Sequence, residues 1–243
     1  MAGPQCCESA PPRDHPSVGV GALEKIESVT VYVTGSPDAK KAIILISDIF
    51  GFESPNLRKL ADKVAAAGYF VIVPDYFYGD PYVLPSGENP MAGLPDWLKI
   101  HGPEKAFEPS RKVIESLKNR GIPTIGAAGF CWGAKVVVEL ARGEDIKAVV
   151  LLHPSFVTMD DIKVVKAPIA ILGAEIDRSS PPELVEKFGA ILSAKTEVHS
   201  FVKIYPGVAH GWTVRYNDDD EVAVKNAEAA HTEMLEWFNK HLK

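Results

Sequence analysis

Residues 126 to 135 read GAAGFCWGAK. Gly129 and Gly133 stand two places either side of Cys131, the small-X-nucleophile-X-small spacing of a tight strand-to-helix turn in which the backbones approach too closely for larger side chains. A cysteine in such a turn lies at a helix N-terminus, where unpaired amides and the helix dipole favour a thiolate. The amide of Trp132, the next residue, would point at the oxygen of a tetrahedral intermediate. Asp177 in ILGAEID and His210 in YPGVAHGW follow in the order nucleophile, acid, histidine. A thiol attacks an ester poorly at neutral pH, so His210 would accept its proton while Asp177 holds the imidazole tautomer. The competing reading is a buried cysteine, an aspartate capping a helix near Pro181 and a loop histidine bonded to backbone. Three such residues, in order and at successive strand ends, favour chemistry.

The elements that must hold these side chains are legible in the pattern. KKAIILISDIFG carries an unbroken apolar run from Ala42 to Ile46 and stops at Ser47 and Asp48, as a strand buried on both faces does. YFVIVP, PTIGAAGF, IKAVVLLHP, APIAILGAEID and HSFVKIYPG read as further strands, and ESVTVYVTG as an edge strand. Helices are expected from Ser54 and Pro55 to Gly68, over EKAFEPSRKVIESLKNRG, over GAKVVVELARG, over PPELVEKFGAILSA and over the amphipathic closing stretch EVAVKNAEAAHTEMLEWFNKHL. The acidic run NDDDE before that last helix complements its N-terminal dipole. Strands alternating with helices imply a mostly parallel sheet covered on both faces, with ligand sites beyond the carboxyl ends of the strands. Asp48, Cys131, His153 and Asp177 fall where strands stop, and His210 falls after the last one. The expected organisation is a flexible leader over 1–25 and a single α/β domain over 26–243. A Pro/Gly-rich insertion at 79–103 suits a lid or binding loop.

Composition narrows the partners. A formal net charge of -6 without a basic block disfavours nucleic acid and anionic membrane surfaces. No signal peptide or run of eighteen apolar residues is visible, and three cysteines, two of them adjacent at Cys6 and Cys7, make no disulfide framework. A cytoplasmic protein with a free Cys131 is expected, the Cys6-Cys7 pair belonging to the Pro-rich leader rather than to a lipidation or redox site. No His-Glu-x-x-His helix or zinc spacing occurs, so no metal and no cofactor is expected. A small molecule, met by a monomer or homodimer, is the expected partner. Tyr78, Tyr82, Trp97, Trp132 and Trp212 are candidate walls of an apolar site, with His153 beside them.

With these residues placed, the chain resembles the dienelactone hydrolase (carboxymethylenebutenolidase) family, most closely its eukaryotic, plant-like branch. GFCWGAK carries the resemblance, supported by SDIFGF, VPDYFYGDP, ILGAEID and YPGVAHGW, and it extends from about Ser28 to the C-terminus. It implies an α/β-hydrolase fold with a Cys-His-Asp triad of Cys131, His210 and Asp177, acting on enol-lactones and related activated esters through a thioester. It also implies Ile49 N–H as second oxyanion donor. The glutamate that assists the cysteine in bacterial members becomes Asp48, one methylene shorter. Their substrate-binding arginine becomes Val214, with Arg215 one step further, so dienelactone itself is not the expected substrate. Two alternatives remain open at this point: hydrolysis of mixed-linkage β-glucan, described for some plant relatives, which would need paired carboxylates among Asp48, Asp75, Glu175 and Asp177, and a non-catalytic small-molecule receptor on the same fold.

Overall fold

The computed structural model describes residues 19–85 and 89–243. Cys6, Cys7 and the first eighteen residues of the expected leader lie outside the described residues. The eight strands of the described residues join one sheet in the order β1-β2-β4-β3-β5-β6-β7-β8. In chain order these are β1 Ala22–Ile26, β2 Val29–Thr34, β3 Lys41–Ile46, β4 Phe70–Pro74, β5 Thr124–Phe130, β6 Ala148–Leu152, β7 Ile169–Ile176 and β8 Ser200–Ala209. The β1/β2 and β2/β4 pairs are antiparallel and the remainder are parallel. This is an α/β-hydrolase sheet. Its central strands are apolar along their whole length because both faces are covered: Ala42 to Ile46 and Ala148 to Leu152 are fully buried.

Among the described residues the α-helices are α1 Pro55–Ala66, α2 Leu94–Ile100, α3 Phe107–Asn119, α4 Trp132–Leu140, α5 Met159–Lys163, α6 Pro182–Ser193 and α7 Glu221–His241. The expected acidic cap is there: Asp220 accepts from the amides of Val222 and Ala223 at the start of α7.

Three sequence expectations need correction. The leader ends earlier than residue 25, because Ala22–Ile26 forms β1; only Ile26 of that strand is buried, so no apolar alternation marks it. Consequently β2 is not the edge strand: it lies between β1 and β4. The 79–103 insertion is not wholly irregular, since α2 lies within it.

Candidate active site

Cys131 is the single residue between β5 and α4. Its backbone, φ 52° and ψ −108°, lies outside the regions favoured for a residue with a side chain, a strain of about 1–3 kcal/mol that the surroundings must hold. They do so with hydrogen bonds. Its N–H donates to Leu152 O at 3.1 Å, and its carbonyl accepts from Ala134 N at 3.2 Å and Ser155 N at 3.0 Å. The glycines are required by contact: a Cβ on Gly129 would sit 2.4 Å from Gly133 O, and one on Gly133 would sit 2.2 Å from Ile46 O. The start of α4 is thereby pressed against the end of β3. Trp132 opens α4, so its N–H has no acceptor within the helix. The buried Cys131 sulfur lies 3.4 Å from Ser155 Oγ.

His210 follows β8 directly and Asp177 follows β7 directly. His210 Nδ1 and Asp177 Oδ2 are 2.6 Å apart, both side chains fully buried. A carboxylate only accepts, so Nδ1 is the donor of this pair. The other oxygen of Asp177 accepts from the amides of Ser179 at 2.7 Å and Ser180 at 3.1 Å, which fixes the carboxylate plane. The His210 amide donates to Ile176 O at 3.1 Å, tying the two loops at their roots.

His153, at the end of β6, packs its ring edge-to-face on His210 with centroids 5.1 Å apart, and Trp212 packs on it at 5.3 Å. Its Nε2 bonds Thr213 Oγ1 at 2.7 Å. Burial, then the electrostatic influence of His210 and Arg215, holds its pKa well below 6.5, so His153 stays neutral beside His210. Thr213 is held from both sides, because its carbonyl accepts His231 Nε2–H at 2.8 Å. Sequence reasoning passed over Thr213 and Ser155, since a lone hydroxyl residue has no spacing signal.

Asp48 accepts from Phe50 N at 2.9 Å through Oδ1 and from Arg215 Nε at 2.6 Å through Oδ2. Both side chains of that ion pair are buried, and the guanidinium lies over the Phe50 ring at 4.8 Å. The auxiliary carboxylate and the candidate pocket arginine are therefore partners of one another.

A family model for the dienelactone hydrolase family matches residues 29–242. The chain belongs to the dienelactone hydrolase family. A mouse carboxymethylenebutenolidase homolog is 35% identical over 228 residues, 92% of each chain. A maize endo-1,3;1,4-beta-D-glucanase is 44% identical over 167 residues, 69% of this chain and 53% of the maize protein, so the match spans about half that relative's length. A Klebsiella pneumoniae protein named as a candidate dienelactone hydrolase superposes with a TM-score of 0.75 at 22% identity, covering 91% of this chain and 99% of that one. This dienelactone hydrolase family member is accordingly a hydrolase of esters or lactones.

The aromatic candidates divide between wall and strut. Tyr82 is buried; its amide donates to Ile49 O and its hydroxyl to the carbonyls of Pro90 and Ala92, each at 2.9 Å. It thus fastens the insertion to the segment that carries Ile49. Phe77 lies between Trp97 and Trp132, at 4.8 and 4.7 Å, while Trp132 Nε1 donates to His101 O. Trp212 packs on Tyr205 as well as on His153. Tyr78 is 57% exposed. The remaining carboxylates near strand ends are engaged: Asp75 accepts from the amides of Phe77 and Gly79, and Glu175 from Gly207. Among the described residues no helix is long and apolar enough to cross a membrane.

Proposed function

We propose that the protein cleaves a small lactone or activated carboxylic ester by covalent catalysis on Cys131, with His210 as base and Asp177 as its orienting acid. The observation that carries this reading is the buried 2.6 Å His210–Asp177 pair, set at strand ends of the same sheet as a cysteine in a strained strand-to-helix turn. In the first half-reaction His210 Nε2 takes the thiol proton as sulfur bonds to the carbonyl carbon and the carbonyl π pair moves onto oxygen. The amides of Trp132 and Ile49 donate to that oxyanion. Collapse breaks the bond to the alcohol oxygen, which takes the proton from His210 and leaves; in a lactone it stays tethered. Water then attacks the thioester, gives a proton to His210, and the carbon–sulfur bond breaks to release the acid and restore the thiol.

The substrate we infer is uncharged at its acyl group. Val214 is buried and apolar, so the position of the substrate-binding arginine of bacterial members offers no charge to a substrate carboxylate, and Arg215 gives its Nε to Asp48 instead. A buried thiol outside any disulfide suits the cytoplasm, which completes this reading.

The test is hydrolysis of p-nitrophenyl acetate at neutral pH by the wild type and Cys131→Ala. A loss of about 10³-fold or more is expected. An inert wild type, or a variant of equal activity, overturns the reading.

The maize relative supports a second reading, hydrolysis of mixed-linkage glucan. It requires two carboxyl groups about 5 to 9.5 Å apart and ready to act, whereas Asp48, Asp75, Glu175 and Asp177 each hold a structural partner. No reducing sugar is expected from that glucan; release that survives Cys131→Ala would reverse the ranking.

A further inference from the structure

The turn after β6 contacts the Cys131 sulfur through a residue that the mechanism above does not use. His153 and Phe156 both have positive φ, 37° and 63°, a conformation that side-chain residues adopt only when the surroundings impose it. Between them Pro154 and Ser155 are buried. The turn is fastened at three points: Cys131 N–H to Leu152 O at 3.1 Å, His153 N–H to Leu172 O at 2.8 Å, and Ser155 N–H to Cys131 O at 3.0 Å. The last two bring the Ser155 hydroxyl to 3.4 Å from Cys131 Sγ, an ordinary hydrogen-bond length for sulfur.

We infer that Ser155 is a positioning residue for the nucleophile, its hydroxyl holding the Cys131 sulfur and supporting the thiolate. The inference rests on the reading of Cys131 as nucleophile. While sulfur carries its proton, either atom of the pair can donate. Once the proton has gone to His210, only the hydroxyl can, and a bond to a charged acceptor is stronger than one to a neutral acceptor. The pair therefore favours the deprotonated state, acting in the same direction as the N-terminus of α4. The titratable and charged groups at this end of the sheet include Asp48 after β3, Asp75 after β4, His153 after β6, Glu175, Asp177 and Arg178 at and after the end of β7, and His210 and Arg215 after β8. Ser155 is uncharged, so replacing it removes a hydrogen bond and leaves that set of charges as it was.

Thiolate formation can be followed by ultraviolet absorbance against pH, subtracting from each protein its Cys131→Ala counterpart to cancel the tyrosines, Cys6 and Cys7. In Ser155→Ala the midpoint is expected to rise by about one pH unit, tenfold less thiolate at a given pH. The acid limb of the kcat/KM profile should move with it, the melting temperature changing by no more than a few degrees. Ser155→Gly, which loses the same hydroxyl without a methyl, should give the same shift and carries the test should alanine fail to fold. A titration that overlays the wild type, whether or not the melting temperature falls, overturns the role of Ser155 while the nucleophile stands if Cys131→Ala is inactive. Hydrolysis that persists in Cys131→Ala removes the nucleophile and this inference with it.

Discussion

Asp177 and Asp48, both buried at this sheet end, use their oxygens differently, and their removal should fail differently. Asp177 gives one oxygen to His210 and the other to two loop amides, so Asp177→Asn should misplace the imidazole tautomer and lower kcat by about 10³–10⁴-fold; steady-state kinetics on an activated ester measures this. Asp48 instead neutralises a buried guanidinium. Asp48→Asn should leave Arg215 without its counter-charge and cost about 3–5 kcal/mol, seen as a lower urea midpoint more than as a change in kcat. Cys131, Asp177 and His210 could be found in the sequence because each stands where an apolar run stops. Asp48 stands out by the same rule, but its pairing with Arg215 does not. Arg215 is 167 positions away, and no local spacing relates two charges that meet only when β3 and the loop after β8 come together. Ser155 and Thr213 were invisible for another reason: their function lies in one hydroxyl and one carbonyl, groups that most of the chain also possesses.

At the scale of elements, the nucleophile turn is a matter of clearance between β3, β5 and α4. Gly133→Ala places a methyl 2.2 Å from the Ile46 carbonyl, a backbone atom that cannot step aside. Overpacking of that kind should cost about 3 kcal/mol, with activity lost alongside. Gly126→Ala, in β5, is the control. Its methyl meets the Phe238 ring at 2.8 Å and the end of the Leu242 side chain at 2.9 Å, which can rotate, so denaturant midpoints should fall less. Pattern reading located these strands well because burial on both faces writes a continuous apolar run. It failed at β1, where four of five residues are exposed and pairing with β2 alone makes the strand. It also missed α2, whose start is signalled by the left-handed Gly93 and by Pro95 at the first turn within a stretch already rich in both residue types, so the punctuation did not stand out.

Across the whole molecule, stability and the site share a hinge of protons. His231 in α7 is buried and holds Thr213 O. Burial, with an opposing contribution from its bond to Thr213, draws its pKa from 6.5 to about 4. The folded chain therefore declines a proton that the unfolded chain accepts: stability is full above pH 6.5, falls as pH drops toward 4, and is level below that as far as this group is concerned. The full shift corresponds to about 3 kcal/mol, and buried His153 pulls in the same direction. Melting temperatures taken from pH 7 to 4 should decline, and His231→Gln, neutral throughout, should flatten the slope. Such long-range dependence is not written in any local pattern, because the depth of His231 is set by how α7 lies over the sheet. The placing of the aromatic rings has an optical consequence too. Of the four tryptophans, Trp97 and Trp132 flank Phe77, Trp212 lies against His153, and Trp237 rests on Phe201 and His241. Intrinsic fluorescence thus divides into three regions, the insertion, the histidine side of the site and the far helix, and single Trp→Phe variants would let the order of events in a turnover be read by emission without attaching a dye.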